Sequence, residues 1–190
     1  MGGRMTGGVS GGDWRLTIQV GFSMVELMVA LAIAAILATI AVPSFREMLQ
    51  NQRITTTAND FFAAINLTRS EAIQRGGRAD LVPAGDGGDW AKGWIVFVDQ
   101  NDNQKPDNGE KIIFSHGPVP DGIIIKAAFM DSKAQYLTYN GTGRTRTKAD
   151  SQRPQAGNFL FTLDKKVRRI RLNFLGRPRV CNPDVEGATC

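Results

Sequence analysis

Groups that carry chemistry are scarce. The chain has one histidine, His116, and two cysteines in 190 residues. His116 stands between a predicted strand and Gly117-Pro118, which is a turn setting. No Ser/His/Asp spacing, no metal-binding Cys/His pair and no phosphate-cradling glycine loop is legible. No catalytic residue, resident metal or cofactor is assigned, and the reading is that of a protein that is not an enzyme. Cys181 and Cys190 lack CxxC spacing, which excludes the usual redox motif. In an oxidising compartment they would close a small terminal loop; in a reducing one they would be two idle thiols. No internal repeat occurs, and no low-complexity linker beyond the Gly-rich start.

The length suits one globular domain with appendages. The formal charge is +5, unevenly spread. From Phe22 to Asn140, ten Lys/Arg face thirteen Asp/Glu, a net of −3; from Gly141 to Cys190, eleven face four, a net of +7. A basic last quarter on a near-neutral body fits a polyanion or an acidic neighbour.

From Leu27 to Ala38 the chain reads LMVALAIAAILA with no polar side chain. Extended to Phe22 and Val42, the run holds only Ser23, Glu26 and Thr39 as polar residues. About twenty residues suffice to cross a ~30 Å hydrocarbon core as a helix. A cleaved secretory signal is one reading, since the run ends in Ala-Val-Pro. A plain anchor fits poorly, because Glu26 would be costly inside its span. A core helix of this length without polar positions is uncommon.

Gly21-Phe22-Ser23-Met24-Val25-Glu26-Leu27 resembles the type IV prepilin processing motif. The resemblance implies that a prepilin peptidase cuts between Gly21 and Phe22, on the cytoplasmic side. It implies that Phe22 is then N-methylated and that the apolar run stays on the mature protein. It also implies that Glu26 serves assembly. Its partner would be the α-amine of a neighbour's Phe22, a buried ion pair that sets register. Pro43 stands where the family often has proline, and inside a helix it removes one hydrogen bond. The leader departs from the family: Gln19-Val20 precede the cut and the nearest cation is Arg15. Translation starts at Met1 or Met5. Positive charge ahead of the run keeps the N-terminus cytoplasmic. The compartment that follows for the head favours a structural Cys181–Cys190 disulfide.

Beyond Pro43 the apolar residues Phe45, Met48, Leu49, Ile54, Ala58, Phe61, Phe62, Ile65, Ala72 and Ile73 recur at three and four. This predicts an amphipathic helix ending near Gly76-Gly77. Joined to the apolar half it makes roughly fifty residues, or ~80 Å. Strands are expected at Ala79–Pro83, Gly93–Val98, Lys111–Ser115, Ile123–Ala128, Gln135–Tyr139, Asn158–Leu163, Arg168–Phe174 and Arg177–Cys181. The fold class is α+β: a long N-terminal helix on an antiparallel β head. The divisions are 1–21 leader, 22–43 transmembrane or filament-core helix, 44–77 amphipathic helix and 78–190 β head.

Gly93-Trp94-Ile95-Val96-Phe97-Val98-Asp99 is similar to the GspH/FimT family of pseudopilins and minor pilins. So are Phe174-Leu175-Gly176-Arg177-Pro178-Arg179-Val180-Cys181 and Arg69-Ser70-Glu71-Ala72 with Arg75-Gly76. The resemblance implies a minor filament subunit of type IV pilus assembly or type II secretion, with other pilins as partners. It implies a single pass in the bacterial inner membrane, a periplasmic head, and a periplasmic or extracellular filament after assembly. Some members take part in DNA uptake, through a Gly-Arg-x-Arg element that is here Gly176-Arg177-Pro178-Arg179.

Two polar clusters are candidate sites. In the loop from Asp99 to Glu110, the residues Asp99, Asn101, Asn103, Asp107 and Glu110 fall at calcium-loop spacing. Gln104 takes the place of the usual glycine, and a polar hairpin loop explains the same residues. A secretion pseudopilin with a calcium loop is one alternative. The other cluster is basic. Arg144, Arg146, Lys148 and Arg153 share a predicted loop, and Lys165, Lys166, Arg168, Arg169 and Arg171 follow. On strands of period two, Arg169 with Arg171 and Arg177 with Arg179 would each share a face. These four arginines are the candidate DNA contacts of a transformation-pilus subunit. The alternatives are a solvated face or an acidic partner subunit. No aromatic interleaves the late arginines on one face, so base stacking finds no support.

Overall fold

An unbroken apolar run, followed beyond Pro43 by apolar residues at three-and-four spacing, makes α1 (Met24–Arg75). The computed structural model describes residues 21–131, 135–148 and 153–190. These fall in two units, one ending at Pro43 and one spanning Ser44–Cys190. In the first unit every described side chain is exposed. Pro43 lies within the bounds of α1.

In the second unit the buried face of α1 is Ile54, Thr57, Ala58, Phe61, Ala64, Ile65, Thr68 and Ala72. It begins at Ile54, not at Phe45 as the periodicity predicts. Phe45 and Met48 stay exposed, since before Ile54 the head reaches the helix through polar side chains, with Gln50 donating to Asp164 and Arg168 to Asn51. Gly76, at φ +60°, ends the helix, and Gly77 N–H donates to Ala72 O at 3.1 Å.

The head is two antiparallel sheets. The strands are β1 (Ala79–Pro83), β2 (Trp94–Phe97), β3 (Ile112–His116), β4 (Ile124–Phe129), β5 (Leu137–Tyr139), β6 (Thr145–Arg146), β7 (Gly157–Leu163), β8 (Lys166–Leu172) and β9 (Pro178–Cys181). One sheet runs β3-β2-β1-β5-β6 and the other β4-β7-β8-β9. The expected α+β arrangement holds, with strand limits shifted by a residue or two. The two-residue β6 and the short tail helix α2 (Pro183–Glu186) were not expected. Neither is long enough to show a period.

The core is aromatic. Phe61 of α1 stands between Trp90, Trp94, Phe159 and Phe161, with ring centroids 5.3, 4.8, 4.5 and 5.5 Å away. Most of these pairs meet edge to face, the arrangement that ring quadrupoles favour. Alternation places Phe159, Phe161 and Leu163 of β7 inward, beside Ile170 and Leu172 of β8. The residues between them, Arg169 and Arg171 included, face out.

Candidate assembly segment and basic surface

The N-terminal segment has two side-chain hydrogen bonds among its described residues, and Thr39 Oγ1 makes one of them to Ile36 O at 2.7 Å. Ser23 Oγ accepts the N–H of Glu26 at 3.1 Å, which caps the start of α1. Glu26 lies in the first turn, where the helix dipole favours an anion. From Phe22 (77% exposed) to Val42 the large apolar side chains are all uncovered. This helix is long and apolar enough to cross a membrane. The leader, residues 1–20, lies outside the described residues.

The basic region is arranged differently from the expected patch. Arg171 of β8 stands opposite Arg179 of β9, and Arg169 opposite Cys181. Two arginines face to face repel unless something neutralises them. The C-terminal tail does so. Glu186 accepts from Arg179 Nη2 at 2.6 Å and from Asn182 N–H at 3.0 Å. Thr189 O accepts from Arg171 Nη1 at 3.3 Å. The Cys181–Cys190 disulfide joins the tail to the same face. Arg169 is half-buried, and its Nε is buried without a hydrogen-bond partner. Arg168 faces the other way and donates to Asn51 Oδ1 and to Val167 O.

Arg177 lies one residue before β9. It closes the turn before β9, where Asn173 N–H donates to Arg177 O at 3.3 Å. Gly176, at φ +73°, reverses the chain ahead of Arg177, and β9 begins at Pro178. Asn173 Oδ1 accepts the N–H groups of Leu175 and Arg177, each at 3.0 Å. The buried Tyr139 hydroxyl donates to Gly176 O at 2.6 Å. Burial, opposed by the nearby Arg69, raises the Tyr139 pKa above the ordinary phenol range. Arg177 is left exposed, and so are its turn neighbours Phe174 (59%) and Leu175 (43%). An aromatic, Phe174, does share the turn with Arg177. Of the earlier cations, Arg144 and Lys148 are exposed, while Arg146 lies in β6 with Nη1 on Thr145 O.

The loop from Asp99 to Glu110 joins β2 to β3. Asp99 is buried, and its carboxylate accepts the N–H groups of Asp102, Asn103 and Gln104 at 2.7, 3.3 and 2.9 Å. Gln104 takes φ +62°, the conformation a glycine would adopt freely. Asn101 and Asn103 donate to Asp107, which lowers its pKa. Glu110 accepts from Gln100 and Asp107 N–H at 2.8 and 3.0 Å. The carboxylates close the loop through N–H donors. Among the described residues, no three His, Cys, Asp or Glu side chains gather as a metal site.

Beneath the loop lies a network that the sequence did not reveal. Arg78 donates to both Asp80 oxygens at 3.1 and 3.2 Å, to Thr138 Oγ1 at 3.1 Å and to Asp102. Burial pushes the Asp80 carboxyl up to about 7, against the opposing pull of Arg78 and Thr138. His116 stacks on Trp94 at 3.9 Å, and its Nδ1 is 2.7 Å from Gly117 O. Those contacts are structural.

Comparison with known proteins agrees with this architecture. The family model described as type II transport protein GspH matches residues 57–176. The chain belongs to the GspH family. The prokaryotic N-terminal methylation motif matches residues 20–42. Among solved structures, two crystal forms of the type IV minor pilin FimU of Pseudomonas aeruginosa share the fold. Both are 18% identical; TM-scores are 0.53 and 0.51, over 74% and 68% of this chain and 94% of FimU in each case. The minor pseudopilin EpsH of the Vibrio cholerae type 2 secretion system is also similar, at 13% identity and TM-score 0.49, over 69% of this chain and 98% of EpsH. No curated protein matches. This GspH-family chain thus carries a type II transport protein GspH region behind an N-terminal methylation motif, and it shares its fold with the minor pilin FimU.

Proposed function

We propose that prepilin peptidase cuts this chain after Gly21 and that N-methylated Phe22 begins the mature subunit. The subunit waits in the bacterial inner membrane as a single pass with a periplasmic head, then joins a filament. Glu26 receives the α-amine of a neighbour's Phe22 and sets the axial register. The observation that carries this reading is the uncovered apolar helix with one acid in its first turn. Such a surface needs lipid or other helices around it. Mass spectrometry of the purified protein tests the cut. A mature N-terminus at N-methylated Phe22 is expected, and unprocessed protein for Gly21→Ala. Normal trimming of Gly21→Ala would contradict the reading. Glu26→Ala is expected to be trimmed but to fall out of filaments.

A second reading concerns the head. We infer that the filament displays this end of the head to duplex DNA. Exposed Arg177, beside exposed Phe174 and Leu175, favours it. Binding that weakens steeply with salt is expected, because neutralised phosphates release counterions. Failure to bind duplex at low salt removes the reading.

A further inference from the structure

The turn that presents Arg177 has a twin. In Asn140-Gly141-Thr142-Gly143-Arg144, Asn140 Oδ1 accepts the N–H groups of Thr142 and Arg144 at 3.1 and 3.0 Å. Gly143 N–H donates to Asn140 O at 2.8 Å, and Asn140 N–H to Arg144 O at 3.0 Å. Gly143 has φ +71°. In Asn173-Phe174-Leu175-Gly176-Arg177 the same four bonds and the same glycine conformation recur. The shared pattern is Asn-x-x-Gly-Arg.

The two turns touch. A Cβ on Gly176 would lie 3.3 Å from Gly143 O and 3.0 Å from Thr145 N. Each turn ends in an exposed arginine. Among the described residues, neither guanidinium is in an ion pair. A third arginine stands behind them: a Cβ on Gly143 would lie 3.2 Å from Arg69 Nε, which is buried without a partner. On β8 and β9, by contrast, the tail already occupies Arg171 and Arg179.

We propose that Arg144 and Arg177, held side by side by the twin turns, form a two-arginine clamp on the phosphate backbone of duplex DNA. The proposal rests on the DNA reading above and names its contacts. It replaces the strand-face pair Arg177/Arg179 by a turn pair 33 positions apart in sequence. Arginine suits the task, since its planar fork grips phosphate through two parallel hydrogen bonds. Both arginines stand on turns closed by the same set of hydrogen bonds, so the backbone that carries them loses little order on binding. Phe174 and Leu175 lie in the same turn as Arg177 and offer an apolar contact to sugar or base.

The test uses the full chain in nonionic detergent and a short fluorescein-labelled duplex, read by anisotropy across a salt series. Arg144→Ala and Arg177→Ala are each expected to weaken binding and to flatten the salt slope by up to ~0.9, and the double variant by up to ~1.8. Arg144→Lys keeps the charge and is expected to fall between Arg144→Ala and wild type. Arg171→Ala/Arg179→Ala and the exposed Lys165→Ala are expected to bind as wild type. If wild type binds while Arg144→Ala binds equally well, the clamp is wrong and the DNA reading stands. The clamp is equally wrong if Arg144→Ala loses no more than Lys165→Ala. If wild type binds no duplex at low salt, the DNA reading fails and takes the clamp with it.

Discussion

Replacing Tyr139 by Phe removes one oxygen and leaves the ring in place. That oxygen is buried and donates to Gly176 O at 2.6 Å. Gly176 is itself buried, so water cannot readily take over its carbonyl. The loss is therefore the hydrogen bond plus an acceptor left bare, about 1–3 kcal/mol. For a domain near ~150 residues this corresponds to roughly 3–10 °C in melting midpoint. Tyr136→Phe is the comparison. The Tyr136 hydroxyl accepts Lys148 N–H at 2.6 Å, but Lys148 is exposed and water can replace it. A smaller loss is expected there. The assay is thermal denaturation of wild type and both variants. A Tyr139→Phe protein within ~0.5 kcal/mol of wild type would refute the claim that this bond anchors the turn carrying Arg177.

Three further outcomes are expected. Gly93 has φ +107°, and a Cβ there would sit 2.2 Å from His116 O; Gly93→Ala should cost several kcal/mol (on the order of 4) and soluble yield, and a near-native melting midpoint would contradict the strand pairing. Asp80, with its carboxyl raised to about 7 in the fold against about 4 when unfolded, contributes stability that is complete below about pH 4 and lost as pH rises through about 7. The midpoint should therefore fall as pH rises between those values, and Asp80→Asn should remove that dependence; parallel curves would show that Asp80 is not its source. Calcium is expected to leave the midpoint unchanged, because the loop carboxylates already hold N–H donors. A midpoint raised by calcium and lowered by a chelator would return the loop to the ligand-binding reading.

Local features of the head were legible. The helix face from Ile54 to Ala72 follows from period alone, and β7 from the alternation of Phe159, Phe161 and Leu163. Missed features depend on partners distant in sequence. Nothing near Arg78 shows that it bonds Thr138 and Asp102. Nothing near Arg179 shows that Glu186 will claim it. Nor does the Asn-x-x-Gly-Arg match between 140–144 and 173–177 carry weight as five residues of sequence until the turns are seen to touch.

The sequence by itself determined the family resemblance, the long helix and the polarity of the N-terminal segment. Those properties live in contiguous residues: an apolar run, an acid at one position in it, a period along a helix. Only the tertiary structure decided which arginines are free. A charge on a strand is neutralised or left open by what packs across it, and that neighbour is chosen by hydrogen-bond register and chain reversal. Gly176 ends the strand before Arg177, and the tail returns over Arg171 and Arg179. The turn at Asn140, which carries Arg144, touches the turn that carries Arg177.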